Sequence, residues 1–329
     1  MGFPVHRLRR LRRNSMLREM VREHRLAVSD LICPLFAVHG TGVKREIKIL
    51  PGNYHLSVDL LAHEARVIRD MGIKAVLLFG IPASKDPQAS ESYAPDGIVQ
   101  RALRAIKASV PELIVITDVC LCEYTEHGHC GIMENGYLVN DLSLELIEKV
   151  TRSHARAGAD MVAPAAMLDG QIGRMRSVLD LSGFSNVAIM GYSAKFSSKL
   201  YDPFFKEGTN NVLTFGDKRS HHMDCANAAE ALREIAFDIE EGADIVMVKP
   251  GMFYMDILYR AKQEFKMPLA VYNVSGEYAL IKAAAEQKKI DEQQIVTELF
   301  TGFKRAGADL IISYHAKQMA ALLNGSVQP

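Results

Sequence analysis

The chain has 329 residues, 24% of them charged and 48% hydrophobic, and its 39 basic residues balance its 39 acidic ones. These values exclude a disordered chain and a globally basic nucleic-acid binder, and no apolar run approaches the ~20 residues that span a bilayer. Five cysteines are too few for a disulfide scaffold and point to a reducing, cytoplasmic compartment.

The neutral total hides an asymmetry. Residues 1–30 carry eight arginines, no lysine and only three acids, Glu19, Glu23 and Asp30, so residues 31–329 hold 31 basic and 36 acidic groups. A basic, extended N-terminal arm over 1–30 therefore precedes a mildly acidic body. Its run from His6 to Arg13 has the composition of a nucleic-acid patch or a transit peptide. The three acids and the early start of the fold favour an arm lying on acidic surface, its own or a neighbouring subunit's.

From Leu31 onward, short apolar runs recur: Leu31–Val38, Ala75–Ile81, Leu113–Val119, Asp160–Pro164, Val187–Tyr192, Asp244–Val248, Leu269–Val274 and Asp309–Tyr314. Nearly continuous apolar runs of this length suit strands buried on both faces of a parallel sheet. Helical periodicity lies between them, clearest over Val58–Met71, Leu142–Ala157, Ala226–Glu241 and Gln293–Ala306. Gly158, Gly242 and Gly307 each stand before Ala-Asp and an apolar run, marking three equivalent helix-to-strand joints. Eight alternations predict an α/β fold of the (β/α)8 TIM-barrel type over 31–329. The competing doubly wound sheet lacks its glycine signature, since Gly40-Thr-Gly42 has no third glycine.

In such a barrel the active face is built at the carboxyl ends of the strands, and the unusual residues fall there. After the third run come Asp118, Cys120 and Cys122, then Cys130 in a His-Gly-His-Cys-Gly loop. Three thiolates bind Zn²⁺ and leave one coordination position open; His127 or His129 as a fourth ligand would close the site. Lys195 follows the fifth run and Lys249 ends the sixth. A lysine at the end of an apolar strand is poorly solvated, a second ammonium lowers its pKa further, and a neutral amine forms Schiff bases with ketones. Solvated rim charges or a phosphate-binding role are the plainer readings of either lysine alone. Ser275 and Tyr278 follow the seventh run, and Tyr314 and His315 end the eighth. Their hydroxyls suit a substrate carboxylate. Cys33 and Cys225 carry no assigned role.

The thiolate motif, Tyr-Ser-Ala-Lys195-Phe, Met-Val-Lys249-Pro-Gly, Val-Ser275-Gly-Glu-Tyr and the final Arg-Ala-Gly-Ala-Asp-Leu-Ile together resemble the porphobilinogen synthase (5-aminolaevulinate dehydratase) family, from the arm to about His315. The resemblance implies a barrel with an arm that wraps a neighbour, usually in a homo-octamer. The implied reaction condenses two 5-aminolaevulinate molecules into a pyrrole with loss of water. By the same resemblance Lys249 forms the Schiff base with the first substrate, and Lys195 serves the second. Cys120, Cys122 and Cys130 hold zinc, with Asp118 beside it. Ser275 and Tyr314 hold the first carboxylate. Tyr192, Phe204 and Lys218 are further substrate contacts, and Glu234 matches a Mg²⁺ position between subunits. An active-site lid is expected near 197–225. Here the sequence departs from the family pattern: Phe205 and Lys218 stand where two arginines grip the second carboxylate, His222 where the family has Gln, and Ala165 where it has Ser. Lysine does not copy arginine's two-pronged grip. Two alternatives therefore stand beside the ordinary synthase: a paralogue with a different second substrate or product, and a non-catalytic zinc-binding assembly protein. No nucleic acid or membrane partner is expected.

Overall fold

The structure is a computed structural model that describes residues 2, 4–201 and 207–325. Among these, eight parallel strands close into a barrel: β1 (Leu31–Val38), β2 (Ala75–Ile81), β3 (Ile114–Val119), β4 (Met161–Pro164), β5 (Ala188–Lys195), β6 (Ile245–Lys249), β7 (Leu269–Asn273) and β8 (Leu310–Ser313). Each pairs with the next in chain order, and β8 returns to β1 with Leu31 opposite Ile311 and Ile32 opposite Ile312. The doubly wound alternative is thereby excluded. All eight residues of β1 and all seven of β2 are buried, as expected for strands walled by helices on one side and barrel interior on the other.

Helices follow the strands around the outside, among them Val58–Asp70, Ile98–Ser109, Asn140–Ala157, Gln171–Leu181, Ala228–Glu240, Met255–Phe265, Glu292–Ala306 and Ala316–Leu323. Gly158, Gly242 and Gly307 have φ of 105°, 105° and 114°, the left-handed conformation that stops a helix and releases the chain into the next strand. The antiparallel pair Lys44–Glu46 and Tyr54–Ser57, and the hairpin Ile132–Glu134 with Tyr137–Val139, decorate the barrel at the ends where its loops are longest. Among the described residues no helix is long and apolar enough to cross a membrane.

Within the N-terminal arm the chain coils locally. Leu8–Arg12 forms a 3-10 turn and Ser15–Met20 a short helix, whose first turn is capped by Asn14 Oδ1 accepting from the Leu17 N–H at 2.8 Å. Local capping and arginine-to-carbonyl bonds, such as Arg10 Nη1 to Val5 O at 3.0 Å, coil the segment without help from the barrel. No residue of either helical piece is buried, and Leu8, Met16 and Met20 are 81%, 70% and 75% exposed.

Candidate active site

Strand β5 runs three residues beyond its expected end, to Lys195, and β6 ends at Lys249. The two lysines are register partners across that parallel pair. Lys195 is buried, and its ammonium donates to the Ala165 carbonyl oxygen just after β4. The Lys249 nitrogen lies among tyrosine rings, 4.3 Å from the centroid of Tyr272, 4.9 Å from Tyr192 and 5.4 Å from Tyr201. Burial and then the Lys195 charge push its pKa down to about 7, with Asp118 and Glu123 only partly offsetting them. Asp118, on β3, is pushed up to about 7, first by burial and then by Glu123. The Tyr314 and Tyr272 hydroxyls are 3.0 Å apart, and Ser275 opens the helix after β7 with its hydroxyl 3.4 Å from the Leu200 carbonyl oxygen. Lys195, Lys249, Asp118, Ala165, Ser275 and Tyr314 all line one narrow pocket, together with Cys120 and Cys122.

The thiolate motif closes on itself as its spacing suggests. Cys120 Sγ lies 3.2 Å from Cys122 Sγ, and one loop returns Cys130 so that all three sulfurs lie within 4.8 Å of one another. The return is fixed by Thr125 Oγ1 donating to the His129 carbonyl at 2.9 Å and by the Ile132 N–H donating to Ser143 Oγ at 2.8 Å. Hydrogen bonds from Cys120 and then Cys122 hold the Cys130 pKa well below the ordinary thiol value. Cys120 itself, although its bond with Cys122 pulls the other way, is pushed up by Cys130 and by burial. Three buried sulfurs at this separation suit Zn²⁺, whose charge allows all three to ionise. Neither His127 nor His129 joins them, His129 Nε2 instead facing the Phe215 carbonyl at 3.0 Å.

The described part of the segment after β5, the cover, bonds across to segments that follow β1, β2 and β7. Tyr201 OH donates to the Phe196 carbonyl oxygen, His55 Nε2 faces the Gly208 carbonyl at 2.6 Å, and Lys85 Nζ donates to the Asn210 carbonyl at 2.5 Å. The Gly276 N–H donates to the Leu200 carbonyl at 2.5 Å, an approach at which any Cβ would collide with that carbonyl. Lys218 and His222 are buried beneath the cover. Burial alone would lower the Lys218 pKa, but the Cys122, Cys130 and Cys120 charges raise it above the usual lysine value. Burial and then Lys195 drive His222 well below the ordinary imidazole range, which leaves it neutral. Phe204 and Phe205 lie outside the described residues. Glu234 sits apart, half-buried in a larger cleft of about 300 Å³, where burial and then Asp169 and Glu230 raise its pKa.

A profile of the family described as Delta-aminolevulinic acid dehydratase matches residues 5–322. The chain belongs to the delta-aminolevulinic acid dehydratase family. The relative of that name from Synechococcus elongatus is 51% identical over 325 residues, covering 98% of this chain and 99% of the relative. The one from Bacillus subtilis is 49% identical over 323 residues, with the same coverage. The crystal structure of delta-aminolevulinic acid dehydratase (porphobilinogen synthase) from Toxoplasma gondii, in complex with the reaction product porphobilinogen, superposes with a TM-score of 0.95 at 39% identity, over 98% of this chain and 92% of that one. Delta-aminolevulinic acid dehydratases are lyases.

Sequence reasoning missed four members of the site: Tyr272 and Tyr201, which sandwich the Lys249 amine; Glu123, buried 3.1 Å from Cys122 Sγ; and His221. Tyr272 sits within an apolar strand, where an aromatic residue reads as core. Glu123 carried a usable signal, being a carboxylate directly after a Cys-x-Cys pair.

Proposed function

We propose that this family member condenses two molecules of 5-aminolaevulinate to the pyrrole porphobilinogen, with loss of water, through a Schiff base on Lys249. The observation that carries the reading is the in-register pair Lys195 and Lys249 facing one pocket with Cys120 and Cys122. A lysine with its pKa near 7 is largely neutral under cellular conditions, so its lone pair attacks a ketone carbon. A C–N bond forms, the carbonyl oxygen takes up both amine protons and leaves as water, and one further proton taken up from solvent turns the imine into an iminium that withdraws electrons from the substrate carbon chain. The Ser275 and Tyr314 hydroxyls hold the first carboxylate. Lys195, fixed on the Ala165 carbonyl, keeps a second cation within the field of Lys249 and serves the second substrate. Tyr192, Tyr201 and Tyr272 exclude water from the amine while their faces tolerate its charged form. Cys120, Cys122 and Cys130 are the residues that would hold Zn²⁺, which when bound supplies Lewis acidity at the pocket wall.

Glu234, with Asp169 and Glu230, is the place for a regulatory Mg²⁺. The exposed apolar side chains of the arm suit docking on a neighbouring copy in a homo-octamer, in a cytoplasmic setting. Product analysis by mass spectrometry with 5-aminolaevulinate as sole substrate tests the reading. Porphobilinogen is expected. Its absence, with borohydride-trapped adduct still found on Lys249, would favour a different second substrate. Absence of any adduct would favour a non-catalytic role.

A further inference from the structure

One buried carboxylate ties together the strand ends that carry the first-substrate residues. Glu277 lies in the first turn of the helix Ser275–Glu286 and is 0% exposed. Its Oε1 accepts from the Gly251 and Met252 N–H groups at 3.0 and 2.6 Å, in the loop just after Lys249. Its Oε2 accepts from Asn273 Nδ2 at 2.8 Å and from the Val274 N–H at 3.0 Å, at the end of β7 beside Ser275. The chain of bonds continues to β8. Ser313 Oγ donates to Asn273 Oδ1 at 2.8 Å and accepts from the His315 N–H at 3.1 Å, so the backbone is held on both sides of Tyr314. Asn273 and Ser313 are fully buried as well. The loop after Lys249 is also packed tightly, since a Cβ on Gly251 would meet Val271 and Phe303 at 2.7 and 2.9 Å.

We propose that Glu277 is a positioning residue that determines specificity: by clamping the loop after Lys249 to the start of the helix that carries Ser275, it sets the distance between the Schiff-base amine and the carboxylate grip. This role rests on the proposed Schiff base at Lys249 and the proposed grip at Ser275 and Tyr314. 5-Aminolaevulinate is a 4-oxo acid, with two methylenes between its carboxylate and its ketone. A site that fixes both ends selects that spacing, and an oxo acid one methylene longer brings its carbonyl carbon out of line with the amine. A carboxylate suits the task. It offers two oxygens to four donors, and hydrogen bonds to an ionised acceptor are stronger than neutral ones. A buried network of this kind fixes one geometry when every member is satisfied. Burial pushes the Glu277 carboxyl up to about 7, with the bonds from Met252, Asn273, Val274 and Gly251 pulling the other way.

Borohydride trapping on Lys249 of the full-length protein, at a pH where Glu277 is ionised, tests this with three ketones: 4-oxopentanoate, 5-oxohexanoate and butanone, which has no carboxylate. Far-UV circular dichroism checks the fold of each variant. Wild type is expected to be trapped fastest by 4-oxopentanoate. Glu277→Gln keeps side-chain volume but turns an amide NH₂ toward two of the four donors. Misplacement of about 1 Å should slow trapping by 4-oxopentanoate about 100-fold and abolish its advantage over 5-oxohexanoate, while butanone is trapped as in wild type. Glu277→Asp keeps the charge and the near bonds to Asn273 and Val274 but falls one methylene short of Gly251 and Met252. It is expected to lose the same preference, and it decides the matter if Glu277→Gln does not fold. A folded variant that keeps the wild-type ranking overturns the role of Glu277. So does equal loss with all three ketones, which would make the carboxylate a support of the fold alone, and so does a wild type that traps both oxo acids equally well. A wild type not trapped by 4-oxopentanoate at all overturns the Schiff-base reading and this role with it.

Discussion

Lys195 and Lys249 stand opposite each other at the carboxyl ends of adjacent parallel strands, in register. The barrel thereby sets the separation of the two amines by backbone hydrogen bonding rather than by side-chain choice. The Lys195 charge makes the Lys249 amine harder to protonate. Burial is the larger force on Lys249 and the Lys195 charge the second.

The first prediction follows from this pair. Below pH 7 the Lys249 amine is protonated and inert, so borohydride trapping of 5-aminolaevulinate should rise with pH through about 7 and then level off. Lys195→Met removes the neighbouring charge, raises the Lys249 pKa, and should move that profile to higher pH. Adduct mass spectrometry across a pH series measures both curves, and superimposable curves would show that the two amines are not coupled.

Metal removal should separate two steps. The amine of Lys249 depends first on burial and on Lys195, with Cys122 the smallest of the influences on it, so chelator-treated protein should still be trapped on Lys249. Formation of the pyrrole should fall to background and return with added Zn²⁺. Parallel loss of trapping and product would mean that the triad holds the site together rather than taking part in it.

Gly276→Ala tests the cover. A Cβ there meets the Leu200 carbonyl and forces that part of the chain away from the helix after β7, carrying the neighbouring Tyr201 with it. Misplacement of about 1 Å costs on the order of 100-fold in rate. We expect that loss in turnover with a far-UV circular dichroism spectrum like that of wild type. Unchanged kinetics would show that residues 200 and 201 are not needed in this position.

Deleting residues 1–12 removes Arg7, Arg9, Arg10 and Arg12 and the exposed Leu8 and Leu11. The acidic body then loses its basic counterpart, and the assembly should shrink in multi-angle light scattering. An unchanged mass would place the subunit contacts elsewhere.

The barrel was legible because its strands are buried on both faces: runs such as Ala75–Ile81 carry no polar residue to break the pattern. The strand Lys44–Glu46 was not legible, since all three of its residues are exposed and it exists only by pairing with Tyr54–Ser57. At the site, the lysines and cysteines stood out because their chemistry is out of place at apolar strand ends. His221 did not, because Cys130, whose sulfur lies close to it, is distant in the chain. Coiling of the arm was hidden for a related reason: its arginines bond to nearby carbonyls, which charge counting does not register.

Closure of β8 on β1 has a consequence for how the protein is born. Leu31 leaves the ribosome early and Ile311 late, yet they are neighbours. Until Leu310–Ser313 emerges, β7 presents an unpaired edge, the kind that recruits foreign strands. Tyr314, which pairs its hydroxyl with Tyr272 inside the pocket, comes directly after that last staple. A nascent chain therefore carries both amines and all three sulfurs long before it can enclose them, and the same event that seals its aggregation-prone edge also completes the pocket.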